Sequence, residues 1–204
     1  MPAKSFSVDT SGWQVSQMSA DAVLAKSCAS TPMVCSTIVS SACPTNNCSG
    51  TCDTSEHTCN LGLEIAVHQT IDLLSEKPEL KSIDDATTLI KAQVDSVTYE
   101  VTTNSLDIDT PVLSVYVAPM SIMDPKDPMA QQIGTIAVVP AGTTVSATEM
   151  MWTDDGKTVL TTTLSSFKNP FNVIVGGELT LRNGDVVPSG KLDANVHIKA
   201  TASL

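Results

Sequence analysis

Apolar and polar residues alternate with a period of two along most of this chain, and one block, residues 16–60, breaks the rhythm. Period-two alternation puts successive side chains on opposite faces of a strand, so it marks half-buried β-structure. Residues 4–8 open the pattern, with Phe6 and Val8 on one side. From residue 63 it returns: Leu63, Ile65, Val67, Ile71 and Leu73 share a face, with Gln69 as the exception. Ile90, Ala92 and Val94 alternate, and Val97, Tyr99 and Val101 continue in the opposite phase. That slip at Asp95-Ser96 predicts a β-bulge or a strand break. Further strands are expected over residues 113–117, closed by Pro119, and 133–139, closed by Pro140-Ala141-Gly142. Residues 143–152 suit a hairpin partner for the latter. Residues 173–181 form a strand interrupted by Gly176-Gly177, and Asn183-Gly184 signals a hairpin turn with positive φ at both central residues. The final strand is the cleanest, with Leu192 to Leu204 apolar at every second position. Such alternation, with one face buried and one wet, belongs to antiparallel sheets. Seven to nine strands separated by turn signals predict a mainly β protein, an antiparallel sandwich.

Two segments read as helical. Residues 153–167 carry Leu160, Leu164 and Phe167 at helical spacing behind Asp154 and Asp155, which suit a helix N-terminus. The Thr161–Thr163 run argues for a strand, and the helix is the reading adopted. In the irregular block, Ser19 is placed to cap a helix bearing Ala20, Val23 and Leu24. Thr31-Pro32 reads as an N-cap with proline at the first helical position, opening a helix with Val34, Cys35, Ile38 and Val39. Pro44 and Asn46-Asn47 end it, and residues 48–60 read as a polar loop. The expected organisation is an N-terminal strand segment (1–15), a small disulfide-rich helical insert (16–60) and a sandwich domain (61–204). No internal repeat or low-complexity tract appears.

All six cysteines fall inside that block: Cys28, Cys35, Cys43, Cys48, Cys52 and Cys59. Zinc prefers paired knuckles, and the two near-matches, Cys43-x4-Cys48 and Cys48-x3-Cys52, share a cysteine. His57 lies close but reads as a loop residue. A haem attachment would need C-x-x-C-H, which is absent. Reduced thiols and disulfides remain; the even count and loop-rich setting favour bridges and hence an oxidising compartment. Six cysteines allow 15 pairings, and spacing does not choose among them.

Composition narrows the function. The net charge is −11 over 204 residues, and Arg182 is the one arginine. Phosphate-backbone binding needs clustered Lys and Arg, so nucleic acid is an unsuitable partner. No window approaches the roughly 20 apolar residues of a membrane span. Residues 1–8 hold one lysine and no apolar core, so an exported protein would have lost a leader. No Gly-x-Ser-x-Gly elbow, Gly-rich phosphate loop or convergent catalytic set is present, and no cofactor is implied. Asn47-Cys48-Ser49 matches a glycosylation sequon in form only.

Calcium takes clustered carboxylates from loops. Asp107 and Asp109, near Asn104, and Asp124 and Asp127, in Asp124-Pro125-Lys126-Asp127-Pro128, are the candidates. Short acidic residues also start turns, and neither pair has the spacing of an EF-hand. His68 and His197 sit in the polar phases of their strands and are expected at the surface. Met120, Met123 and Met129 flank the Asp-Pro loop, with Met150-Met151-Trp152 later. They are read as gap-fillers under a long loop in preference to an adaptable contact surface.

Lys168-Asn169-Pro170-Phe171-Asn172 followed by a strand, then Val187-Pro188-Ser189-Gly190 and the long alternating tail, resembles uncharacterised secreted or lipid-anchored bacterial β-sandwich proteins. The resemblance covers residues 63–204. It implies an immunoglobulin-like architecture and an envelope or extracellular address, and it carries no functional residue. The expected role is a non-enzymatic structural or interaction protein, with other proteins or its own copies as partners. Its opening strand, with Phe6 and Val8, either pairs within its own chain or completes a neighbour's sheet to build a fibre. The alternative is a calcium- or carbohydrate-binding module, with Trp13 and Trp152 as the aromatic candidates.

Overall fold

The computed structural model describes residues 3–45, 47–83 and 91–203; Asn46, Ile90 and Leu204 lie outside these. The alternating segments become two antiparallel sheets that share one buried cluster, an arrangement consistent with a sandwich. Strands β1 (Lys4–Asp9), β10 (Lys191–Ser203), β4 (Lys91–Asn104) and β7 (Val145–Glu149) lie side by side in that order. The second sheet runs β2 (Cys48–Cys52), β3 (Cys59–Ile71), β9 (Phe171–Leu181), β5 (Leu113–Pro119), β6 (Gln131–Ile136) and β8 (Met151–Trp152). Phe6, Val97, Val196 and Ile198 from the first sheet meet Leu63, Ile65, Val115 and Val173 from the second. Each such buried side chain contributes about 1.5–3 kcal/mol.

The phase slip in β4 is a bulge: Ser96 pairs with Lys199 and Val94 with Ala200, leaving Asp95 unpaired. One extra residue lets both apolar runs face the core. A second shift, between Asp193 and Ala194, lies lower in the same pairing. Helix α4 (Gly156–Ser165) buries Leu160 and Leu164, as its spacing predicts.

Several expectations need correction. Residues 143–152 do not form one hairpin arm. Val145–Glu149 joins β4 in the four-stranded sheet, Met150 is buried, and only Met151–Trp152 pairs with β6. The buried Met150 anchors the point where the chain passes from one sheet to the other. Asn183-Gly184 likewise links strands of different sheets. Its turn closes from Asp185 N–H to the Arg182 carbonyl at 2.9 Å, and Gly184 alone has positive φ, at 95°. Leu73 belongs to the short helix α3 (Leu73–Glu76), which Asp72 caps.

The cysteine block is only partly helical. Helix α1 (Gln17–Leu24) is capped by Ser16, whose side chain accepts from Ser19 N–H. Ser19 is therefore the donor inside the first turn, not the cap. Helix α2 (Val34–Ala42) starts two residues after Pro32, and no side chain caps it; the Thr31 carbonyl accepts from Val34 N–H in the preceding turn. Residues 48–60, expected as a loop, form the β2–β3 hairpin, with Cys52 opposite Cys59. Asp53 turns it, its Oδ1 accepting from Ser55 and Glu56 N–H. The bridges are Cys28–Cys52, Cys35–Cys59 and Cys43–Cys48. Three disulfides point to an oxidising compartment. Among the described residues no helix is long and apolar enough to cross a membrane.

Candidate functional site

Strand β9 departs most from a period of two. All six residues from Phe171 to Gly176 are buried, so both of its faces are covered. Phe171, Val173 and Val175 point into the sandwich core. Asn172, Ile174 and Gly176 point outward, and residues 119–130, from the last residue of β5 to the start of β6, lie as a strap across Asn172 and Gly176. Asn172 is fully buried. Its Nδ2 donates to the carbonyls of Met120 (3.0 Å) and Ile122 (2.7 Å), and its Oδ1 accepts from Thr70 Oγ1 (2.6 Å). Four residues on, Gly176 leaves room for a proline. A Cβ built there would sit 2.7 Å from Cβ and Cγ of Pro125. The Gly176-Gly177 pair therefore does not interrupt β9, which pairs with β3 in continuous register through both residues.

The strap closes on itself and on the sheet. Asp124 Oδ1 accepts from Lys126 N–H and Asp127 Oδ1 from Met129 N–H. Turn bonds run from Asp127 N–H to the Asp124 carbonyl and from Ala130 N–H to the Asp127 carbonyl. Lys126 Nζ bridges Glu64 (3.2 Å) and Glu178 (3.8 Å), two carboxylates placed directly opposite each other on β3 and β9. One lysine thus relieves a like-charge cross-strand pair. The methionines do not fill a gap beneath this loop. Met120, Met123 and Met129 are 53%, 54% and 53% exposed, because the strap's polar backbone and Pro125 already occupy the sheet face. At the foot of the strap a groove of 380 Å³ opens between Pro119, Met129, Thr163, Pro170 and Phe171.

The other candidate carboxylates are engaged singly. Asp107 accepts from both N–H (2.9 Å) and Oγ (2.8 Å) of Ser189, while Asp109 Oδ1 accepts from Ala141 N–H (2.8 Å). They grip two different loops and tie together one end of the sandwich. The Ser189 bonds hold the Asp107 carboxyl below the usual carboxylate range. Among the described residues no group of three or more His, Cys, Asp or Glu is placed to hold a metal ion. Trp13 is buried, its Nε1 donating to the Glu64 carbonyl at 2.7 Å, so it offers no exposed ring. Trp152 is half-buried, donates to Glu149 Oε1, and lies under Lys157 Nζ at 5.9 Å. His197 faces Glu100 at 3.6 Å.

Set beside known protein families, curated proteins and solved structures, the chain matches none. The functional reading rests on geometry and chemistry.

The opening strand is the remaining candidate. Strand β1 pairs antiparallel with β10 of its own chain, Phe6 opposite Ala194 and Val8 opposite Leu192. Phe6 is buried and Val8 packs against the core. Beside it lies a groove of 580 Å³, walled by Ser5 to Ser7, by residues 66–69 of β3 and by Asp193, Ala194 and Asn195 of β10. Strand β2 ends at the Cys48–Leu63 pair, so among the described residues β3 beyond Leu63 has a neighbouring strand, β9, on one side alone. Gln69, the exception in the apolar phase, is exposed in this groove. The strap was missed because its partner residues are 50 and 52 positions apart; the one sequence signal was a polar Asn172 inside the apolar run from Phe171 to Val175.

Proposed function

We propose that this is a non-enzymatic structural or interaction protein working outside the cytosol, at a cell surface or beyond it, and that it self-associates through its opening strand. The sandwich would be of the immunoglobulin-like type, carrying the 16–60 block as a stapled cap. The observation that carries the reading is the setting of β1. It is a six-residue edge strand, paired on one side alone, beside a solvent groove that residues 66–69 of β3 and 193–195 of β10 also line. A short 3-10 turn (Thr10–Trp13) joins it to the buried Trp13. Gly12, within that turn, supplies the backbone freedom of a hinge. In exchange, β1 of one copy takes the place of β1 on the next, keeping the same register, and head-to-tail repetition builds a fibre.

Deleting residues 1–10 should abolish assembly seen by electron microscopy. A gentler variant separates assembly from folding. Ser7 and Asp193 face each other in the β1–β10 register, so Ser7→Cys with Asp193→Cys locks the strand onto its own chain. The locked protein should stay folded and monomeric. Fibres from the locked protein at the wild-type level would remove the exchange mechanism.

A further inference from the structure

We propose that the strap over β9 is a docking surface for a basic, amphipathic segment of a partner protein. The inference is independent of strand exchange, which uses the β1 edge of the four-stranded sheet and a different chemistry.

Three methionines within ten residues stand about half-exposed on a backbone tied to β9 through the Met120 and Ile122 carbonyls and closed by the turn bonds at Asp124 and Asp127. Folding does not account for that combination. A long solvent loop needs no apolar side chains, and a gap-filler would be buried. A fixed backbone bearing flexible, polarizable thioethers is suited to binding, since the scaffold loses little entropy while the side chains adapt. The groove at the strap's foot adds an apolar receptacle for an anchor side chain, between Pro119, Met129 and Phe171.

Charge selects the occupant. The strap and the residues it touches carry four carboxylates, Asp124, Asp127, Glu64 and Glu178. Against them stand two lysines: Lys126, already shared between Glu64 and Glu178, and Lys168, next to the groove-lining Asn169. An apolar patch with an acidic surround fits a segment with apolar residues on one face and Lys or Arg beside them. A second copy of this chain brings a net charge of −11, and an anionic lipid surface brings the same sign. Both are repelled at low salt.

The test uses the full oxidised protein and a labelled synthetic peptide of Leu and Lys in amphipathic helical register, followed by fluorescence anisotropy. Saturable binding that weakens as NaCl rises is expected. The triple variant Met120→Ser, Met123→Ser, Met129→Ser should bind about tenfold more weakly, the scale of losing apolar anchors from an interface. Its melting curve should match the parent, because the replaced side chains are exposed. Should it melt early, Asp124→Asn with Asp127→Asn serves instead: Asn keeps an acceptor for the turn bonds, and a weaker affinity with a shallower salt dependence is expected. Equal binding by the parent and the Met variant would overturn the proposal, since charge alone would then be acting, and equal binding by the parent and the Asp variant would overturn it because the acidic surround would play no part. Absence of saturable binding, or equal binding by the matching Leu/Glu peptide or by phosphatidylglycerol vesicles, would overturn it as well.

Discussion

The cysteine block supplies the edge strand β2 of the six-stranded sheet and the strap lies across the face of the same sheet, and the two are held in opposite ways. The block has few large apolar residues; Val23 and Ala42 pack against four cysteines in its small cluster. Three bridges do what core area does elsewhere, by removing conformations from the unfolded chain. The strap has no bridge. It is held by a buried amide, a proline laid against a glycine and a shared lysine. Covalent ties fix a segment whatever surrounds it. Hydrogen-bonded ties fix it only while the sheet beneath is intact.

Removing ties of each kind should give effects of decreasing size. Cys35→Ala with Cys59→Ala opens a bridge of separation 24 and should cost about 3 kcal/mol, with a further loss from the vacated core. Cys43→Ala with Cys48→Ala opens a bridge of separation 5, and about 2 kcal/mol is expected. Denaturant titration orders the two; an equal or reversed order would mean that chain entropy is not the main contribution.

Asn172→Ala should cost about 2–3 kcal/mol, because it leaves two strap carbonyls and the Thr70 hydroxyl without their buried partner. Gly176→Ala attacks the same strap from the other end and should cost about 1–3 kcal/mol, since its methyl group would overlap the Pro125 ring. In both variants limited proteolysis should cut within residues 119–130 while the cysteine block stays whole. Cutting in the block first would break the distinction between the two regions.

The smallest effect is on pH. Hydrogen bonds from Ser189 hold Asp107 below the ordinary carboxylate range, that from Thr103 does so for Asp193, and that from Asn195 for Glu100. In acid the folded state then binds fewer protons than the unfolded one. The stabilisation is whole above the ordinary carboxylate values of 3.8 and 4.5 and fades as pH falls through and below them. In enough salt to screen the net negative charge, Tm should be level from neutral pH to about pH 5 and decline below about pH 4. Asp107 is exposed and Asp193 and Glu100 are half-buried at the surface, where solvent screens them, so the decline should be shallow. A rise in Tm on acidification under these conditions would contradict it.

Much of the β architecture is written locally. Alternation placed β1, β4, β5 and β10, and the phase slip at Asp95 located a bulge, because each follows from which face a side chain must take. Partnership is not local. Val145–Glu149 and Met151–Trp152 are separated by one buried methionine yet belong to different sheets, and no short-range rule separates them. The β2 strand was hidden by its Ser, Gly and Thr, which read as loop; its pairing with β3 and two of the bridges, through Cys48 and Cys52, make it a strand. The strap is the furthest from local reading. Asn172 and Gly176 look like a flaw and a break in β9 until Met120, Ile122 and Pro125 are seen lying on them.

Hydrogen exchange followed by mass spectrometry compares the two regions most directly, on the oxidised parent and on the Cys35→Ala, Cys59→Ala variant. Slow exchange is predicted at Ile122, Asp127 and Ala130 in both proteins, together with β9, while residues 26–60 become fast in the variant alone. Fast exchange across 119–130 in the oxidised parent would contradict the account, since the methionines would then ride on a loose loop with no prepared surface.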